Sequence, residues 1–218
     1  LVRSEIDTQP FADHYGPIPG GNEFGNQNNP IINRPYVFTS NKLIDKWKEK
    51  LSTDEGLIIG LNWQGNPEAE IENLKGRSFS LDIFEEISKK KDIKFLSLQK
   101  GFGSDQLEKC SFREKFVSCQ DLINSCWDFS EVAAIICNCD LVITSDTYVA
   151  HLSGALGKST WLMLKNIPEW RWGVYDEKKT FWYPSIRLFR QKERDNWLEI
   201  INRVSIELKE YIQKHQKI

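Results

Sequence analysis

The chain has little of what most readily betrays a function. Of its 218 residues one is methionine and three are histidine, and the five cysteines (Cys110, Cys119, Cys126, Cys137 and Cys139) form an odd set without Cys-x-x-Cys spacing. A zinc cluster would want close ligand pairs with histidine nearby, and a secreted disulfide scaffold an even count, so both are excluded. The thiols read instead as small buried apolar groups in a reducing, cytoplasmic setting. Charge of one sign is also lacking: 29 Lys and Arg stand against 31 Asp and Glu, for a net charge of −2. That argues against a nucleic-acid partner, which needs a basic excess. No apolar run approaches the roughly 18 residues of a membrane span. No Asp-x-Asp or His-Glu-x-x-His pattern occurs, so neither a metal nor a cofactor is expected. What is plentiful is tryptophan, eight residues of it, a ring that must pack or line a binding wall.

The chain opens on Leu1 rather than Met, which reads as a piece of something longer, and its first 55 residues differ from the rest. Between Gly16 and Pro35, Gly-Pro, Gly-Gly and Asn-Asn-Pro punctuate a stretch without hydrophobic period, an irregular loop or link. Asn41 then opens a helix with Leu43, Ile44, Trp47 and Leu51 on one face. From residue 56 to 218 the pattern turns regular. Short apolar runs at 57–61, 93–98, 141–144, 159–164 and 186–189, with a weaker one at 116–118, alternate with helical segments at 80–90, 128–139, 147–156 and 195–214. Asp128 with Glu131 three residues on has the form of a capping box. Alternation of this kind predicts an α/β fold, a Rossmann-like parallel sheet with helices on both faces. Ligands of such sheets sit beyond the carboxyl ends of the strands.

Polar motifs stand at those ends. After the first strand come Asn62, Gln64, Gly65 and Asn66, a turn whose amides are placed to face an anion, and Arg77 precedes the next helix as a two-pronged phosphate ligand. After the second strand stand Gln99, Lys100 and Gly101-Phe102-Gly103. The third glycine of a dinucleotide fingerprint is replaced by Gln106, so the dehydrogenase reading is rejected, while Lys100 remains a point charge for phosphate. The run at 141–144 leads straight into a helix whose first turn carries Ser145, Asp146 and Thr147, with His151 one turn on. Helix N-terminal amides favour anions, although Asp146 as the N-cap would consume one and oppose the charge. Trp161 is expected in the core; Trp170, Trp172 and Trp182 are left between packing and ligand stacking.

In order, the runs GLNWQGNP (60–67), GRSF (76–79), FLSLQKG (95–101), DTYVAHLSGALGK (146–158), PEWRW (168–172) and WYPSIRLFRQ (182–191) resemble the catalytic region of bacterial glycosyltransferases often fused behind tetratricopeptide repeats. That group is similar to the lipopolysaccharide heptosyltransferases and, more distantly, to the O-linked N-acetylglucosamine transferases. The resemblance covers about residues 36 to 205. It implies one half of a GT-B fold, the carboxyl-terminal half that binds a nucleotide-sugar donor without metal, with the diphosphate near Arg77, Lys100 and the 145–147 turn and with His151 supporting that turn. Two departures stand out. Tyr148 replaces the small residue usual in the group, and no acceptor-binding domain precedes the sheet, so a missing amino-terminal domain or a second copy would have to complete the cleft. Asp13-His14 is the sole acid–base pair in the first segment. The catalytic base and the acceptor are not readable. The other class of function open to this sequence is a non-catalytic nucleotide- or glycan-binding module.

Overall fold

The computed structural model describes residues 7–8, 34–70, 75–173 and 178–215. Asp13-His14 and most of the Gly16–Pro35 stretch lie outside them. Five strands, β1 (Leu57–Asn62), β2 (Ile93–Ser97), β3 (Leu141–Thr144), β4 (Thr160–Leu164) and β5 (Ile186–Arg190), form one sheet in the order β2-β1-β3-β4-β5. Every pairing is parallel. The expected α/β architecture is therefore present, and its strand order is that of a doubly wound sheet.

Side-chain alternation splits the strands between two apolar layers, as burial on both faces requires. Ile59, Leu61, Phe95, Ile143, Trp161 and Phe189 face the long closing helix Trp197–His215, which buries Ile200, Ile201, Val204 and Leu208 against them. Trp161 is core, packed on Phe189 and Tyr211. On the opposite face, Ile58, Leu96 and Val142 meet helices α1 (Asn41–Leu51) and α2 (Phe129–Cys137). Small residues dominate where helix α3 (Tyr148–Ala155) lies close on the strands: a Cβ on Gly154 would run into the ring of Tyr183.

Several local expectations are corrected. The 116–118 run makes only a bridge from Phe116 to Phe95, because the Val117 amide is the one that reaches the β2 edge. Residues 80–90 begin as a 3-10 turn, Leu81–Phe84, capped by Ser80, before one α-turn at Glu85–Ser88. Asp128 does cap α2, accepting from the amides of Ser130 and Glu131. The Glu131 carboxylate, however, reaches across to Lys46 and the Trp47 indole of α1, tying the two helices together. All five cysteines are free, and burial pushes each thiol up, that of Cys139 to about 12. Among the described residues no helix is long and apolar enough to cross a membrane.

Candidate functional site

The chain leaves β1 toward β2 on one side and returns to β3 on the other. That reversal opens a crevice outside the carboxyl ends of β1 and β3, the place where doubly wound sheets take their ligands. A cavity of about 230 Å³ lies there. Asn62, Gln64, Gly65, Asn66, Arg77, Gln99, Lys100 and Thr147 line it, joined by Phe102 and Tyr148.

Its framework is a closed set of hydrogen bonds. Asn62, buried at the end of β1, donates Nδ2–H to Gln99 Oε1 (2.9 Å) and accepts at Oδ1 from the hydroxyls of Thr147 (2.7 Å) and Thr144 (3.2 Å). Three strand ends are thus joined through one side chain. Gln99 Oε1 also accepts the amides of Trp63 (3.1 Å) and Gln64 (3.0 Å), while its Nε2 donates to the carbonyls of Gln64 (2.8 Å) and Phe102 (2.7 Å). A buried glutamine earns that position because a single amide group supplies both signs of hydrogen bond.

The loop after β1 differs from the sequence expectation of amides facing an anion. Trp63 and Gln64 give theirs to Gln99, Gly65 gives its own to Ser78 Oγ (2.9 Å), and Asn66 caps the turn Pro67–Ala69 by accepting from the Glu68 amide. Gly65 is required for another reason: the Arg77 guanidinium lies where a Cβ would stand. Arg77 pairs with Glu70 at 3.3 Å and donates to the Asp146 carbonyl at 3.0 Å, so its cation locks the two loops and only part of its fork faces the cavity. Glu70 and Ser78 were missed from sequence because their role exists only through Arg77 and Gly65.

Lys100 is different. Its ammonium is held by the carbonyls of Ile123 and Asn124 and lies 5.8 Å from the Trp127 ring. Burial pushes its pKa below the ordinary lysine value, and among the described residues no carboxylate pairs with it. It is a half-buried cation held by backbone carbonyls at the edge of the cavity.

At the start of α3 the N-cap is Thr147, not Asp146: the Thr147 hydroxyl accepts from the Val149 amide at 3.3 Å. Three of the candidate residues stand behind the cavity rather than in it. Ser145 is fully buried, its amide on the Asn62 carbonyl at 2.9 Å. Asp146 is buried, which raises its carboxyl; the nearby Trp172 indole, then His151, Arg77 and Arg171, offset part of that rise. The indole N–H is without a hydrogen-bond partner among the described residues, so its help is that of a nearby dipole. His151 exchanges a hydrogen bond with the Tyr183 hydroxyl (3.1 Å) and stacks on Trp172 at 5.0 Å. Burial holds its pKa below 6.5.

No family model and no curated protein matches this sequence. Solved structures do match in fold. The E. coli ADP-heptose lipopolysaccharide heptosyltransferase II superposes with a TM-score of 0.56 at 12% identity, over 85% of this chain and 56% of that one. The glycosyl transferase family 9 protein from Veillonella parvula DSM 2008 does so at 0.50 and 13%, over 71% and 42%. The chain thus spans about half the length of these neighbours. The heptosyltransferase-like relation read from the motifs is matched at the level of fold.

Proposed function

We propose that this chain binds a nucleotide-sugar donor and forms the donor-binding, carboxyl-terminal half of a metal-independent glycosyltransferase. The observation that carries the reading is Lys100, which lines the switch-point cavity with Arg77 and Thr147 and whose ammonium, among the described residues, is held by the Ile123 and Asn124 carbonyls and by no carboxylate. At about 230 Å³ the cavity is smaller than the roughly 300 Å³ at which pockets for whole small molecules begin. It suits the diphosphate, with the base and the sugar extending beyond it. Phe102 and Trp127, both exposed, present rings next to Lys100 for the base. In the transfer step the bond from the anomeric carbon to the diphosphate breaks as an acceptor oxygen attacks. The negative charge growing on the leaving diphosphate meets Lys100, the free part of the Arg77 fork and the Thr147 turn. The acceptor proton passes to a base that the described residues do not identify.

The test is a thermal-shift and calorimetric panel of ADP, GDP, UDP and CDP on the 218-residue chain. A ligand at 100 times its dissociation constant adds about 2.7 kcal/mol of stability. One diphosphate should bind, and Lys100→Ala should weaken it at least tenfold. No shift with any of the four, or an unchanged affinity in Lys100→Ala, overturns the reading.

A further inference from the structure

Exposed large apolar side chains gather at two places on the carboxyl edge of the sheet. Ile167 and Trp170 border a cleft of about 770 Å³ beyond β4 and β5, whose lining includes Gln191 with its Nε2 unpartnered among the described residues. Phe102, Trp127, Phe129 and Tyr148 stand at or beside the smaller cavity beyond β1 and β3. Phe102 and Trp127 already have a role there, next to Lys100. Tyr148 and Phe129 do not.

Tyr148 is set apart by sequence and by place. It is the position at which the chain departs from the group it resembles, where a small residue is usual. At 40% exposed it is not accounted for by packing. Its backbone is nevertheless fixed from both sides. Thr147 before it donates its hydroxyl to Asn62 Oδ1 at 2.7 Å and accepts the Val149 amide, and Val149 after it is fully buried. Its ring meets that of Phe129 edge to face, with centroids 5.7 Å apart. Phe129 opens α2 directly after the Asp128 cap, so two helix starts hold one ring at the cavity wall. A tyrosine held in this way offers a broad apolar face with only two side-chain torsions to fix, and contact with it costs little entropy.

Strand order decides what the ring faces. β1 lies between β2 and β3. Neighbouring strands are about 4.8 Å apart, which puts the ends of β2 and β3 about 10 Å from each other. Lys100 and Phe102 follow β2, and Thr147 and Tyr148 follow β3, on opposite sides of the cavity that both pairs line. With the base at Phe102 and Trp127, a diphosphate lying across this gap carries its other substituent to Tyr148.

Building on the donor reading, we propose that Tyr148 selects the sugar of the donor: its ring, braced by Phe129, stacks on the C–H face of a pyranose attached to the diphosphate. The C–H bonds of a sugar carry a small positive charge and the face of an aromatic ring a negative one, so the two attract while the sugar hydroxyls stay at the edge, in water. The ligand class is a nucleoside diphosphate pyranose, and the sugar contributes affinity of its own.

Calorimetry on the 218-residue chain compares ADP, GDP, UDP and CDP with their glucose esters. For the base that binds, the ester should bind about tenfold more tightly than the plain diphosphate. Tyr148→Ala should bring ester and diphosphate within about twofold of each other, and Tyr148→Phe should keep the ratio near its wild-type value. A merely structural role would weaken both ligands alike and leave the ratio unmoved. An ester no tighter than its diphosphate in wild type, an unchanged ratio in Tyr148→Ala, a ratio that rises there because the ring was an obstacle, or a ratio lost in Tyr148→Phe overturns the proposal and leaves diphosphate binding standing. Binding of no diphosphate and no ester overturns the donor reading and this one together.

Discussion

The two ends of the carboxyl edge solve opposite problems. Beyond β1 and β3, Asn62, Gln99 and Thr147 satisfy one another and the loop amides, which leaves a small cavity with Lys100 at its edge, paired among the described residues with no carboxylate. Beyond β4 and β5 the cavity is more than three times as large, its rim carries exposed Trp170 and Ile167, and its floor keeps an unpartnered amide. The first end is a fixed frame around a charge, and the second is an open surface beside an exposed ring. A preorganised frame suits a group of constant shape such as a diphosphate, since little reorganisation remains at binding. An open cleft with a stacking ring suits a ligand that varies.

The largest expected effect separates the two tryptophans of the open end. Trp172→Ala removes a buried anchor and should cost about 3–5 kcal/mol in urea denaturation. Trp170→Ala, two residues away and exposed, should stay within about 0.5 kcal/mol of wild type. Equal costs would mean that Trp170 packs, and the contrast between frame and open rim would fail. Next comes the frame itself. Gln99→Leu leaves the Asn62 amide, two backbone amides and two carbonyls without their partner, and should destabilise by at least about 3 kcal/mol on the same measurement. A loss under 1 kcal/mol would show that water replaces the glutamine and that the frame is not closed.

Gly65→Ala should sharpen the difference between stability and binding at the β1/β3 end. The added methyl group displaces the Arg77 guanidinium, so diphosphate affinity should fall about tenfold while unfolding free energy drops by less than about 1 kcal/mol. The smallest effect is one of pH. Burial holds His151 below 6.5 in the folded chain, against a smaller pull upward from Asp146. The unfolded chain takes the proton first as pH falls, so the stability contributed by the neutral ring is complete above 6.5 and is lost below it, at no more than about 1.4 kcal/mol per pH unit. Asp146, whose carboxyl is raised from 3.8, acts in the opposite sense, losing stability as pH rises through its folded value. Unfolding free energies at pH 7.5 and 5.5 should show a drop in wild type that His151→Asn flattens; an equal drop in both would assign it elsewhere.

Much of this was legible in residue order. Short apolar runs, separated by helical spacing, point to strands buried on both faces, and all five strands of the parallel sheet stand where those runs are. Polar residues at the strand ends were legible for the same reason, because an abrupt change from Ile and Leu to Asn, Gln and Lys marks where a strand leaves the core. Eight of the candidate residues do line one cavity. What failed were readings of local chemistry: the cap was assigned to Asp146 when the Thr147 hydroxyl takes it, and the turn amides were assigned to a ligand when Gln99 and Ser78 hold them. The second error gave the turn amides to the solvent side when partners thirteen and thirty-five residues away were within reach.

By itself, then, the sequence determined the fold class, the strands and the edge on which a site must lie, because hydrophobic period and strand-end polarity are properties of neighbours along the chain. Only the tertiary structure decided that Lys100 is held by backbone carbonyls while Arg77 has Glu70, that Ser145, Asp146 and His151 stand behind the cavity, and that a second cleft exists beside Trp170. A hydrogen bond or a cavity depends on which atoms from distant segments come within about 3 Å, and the order of strands in the sheet sets those distances.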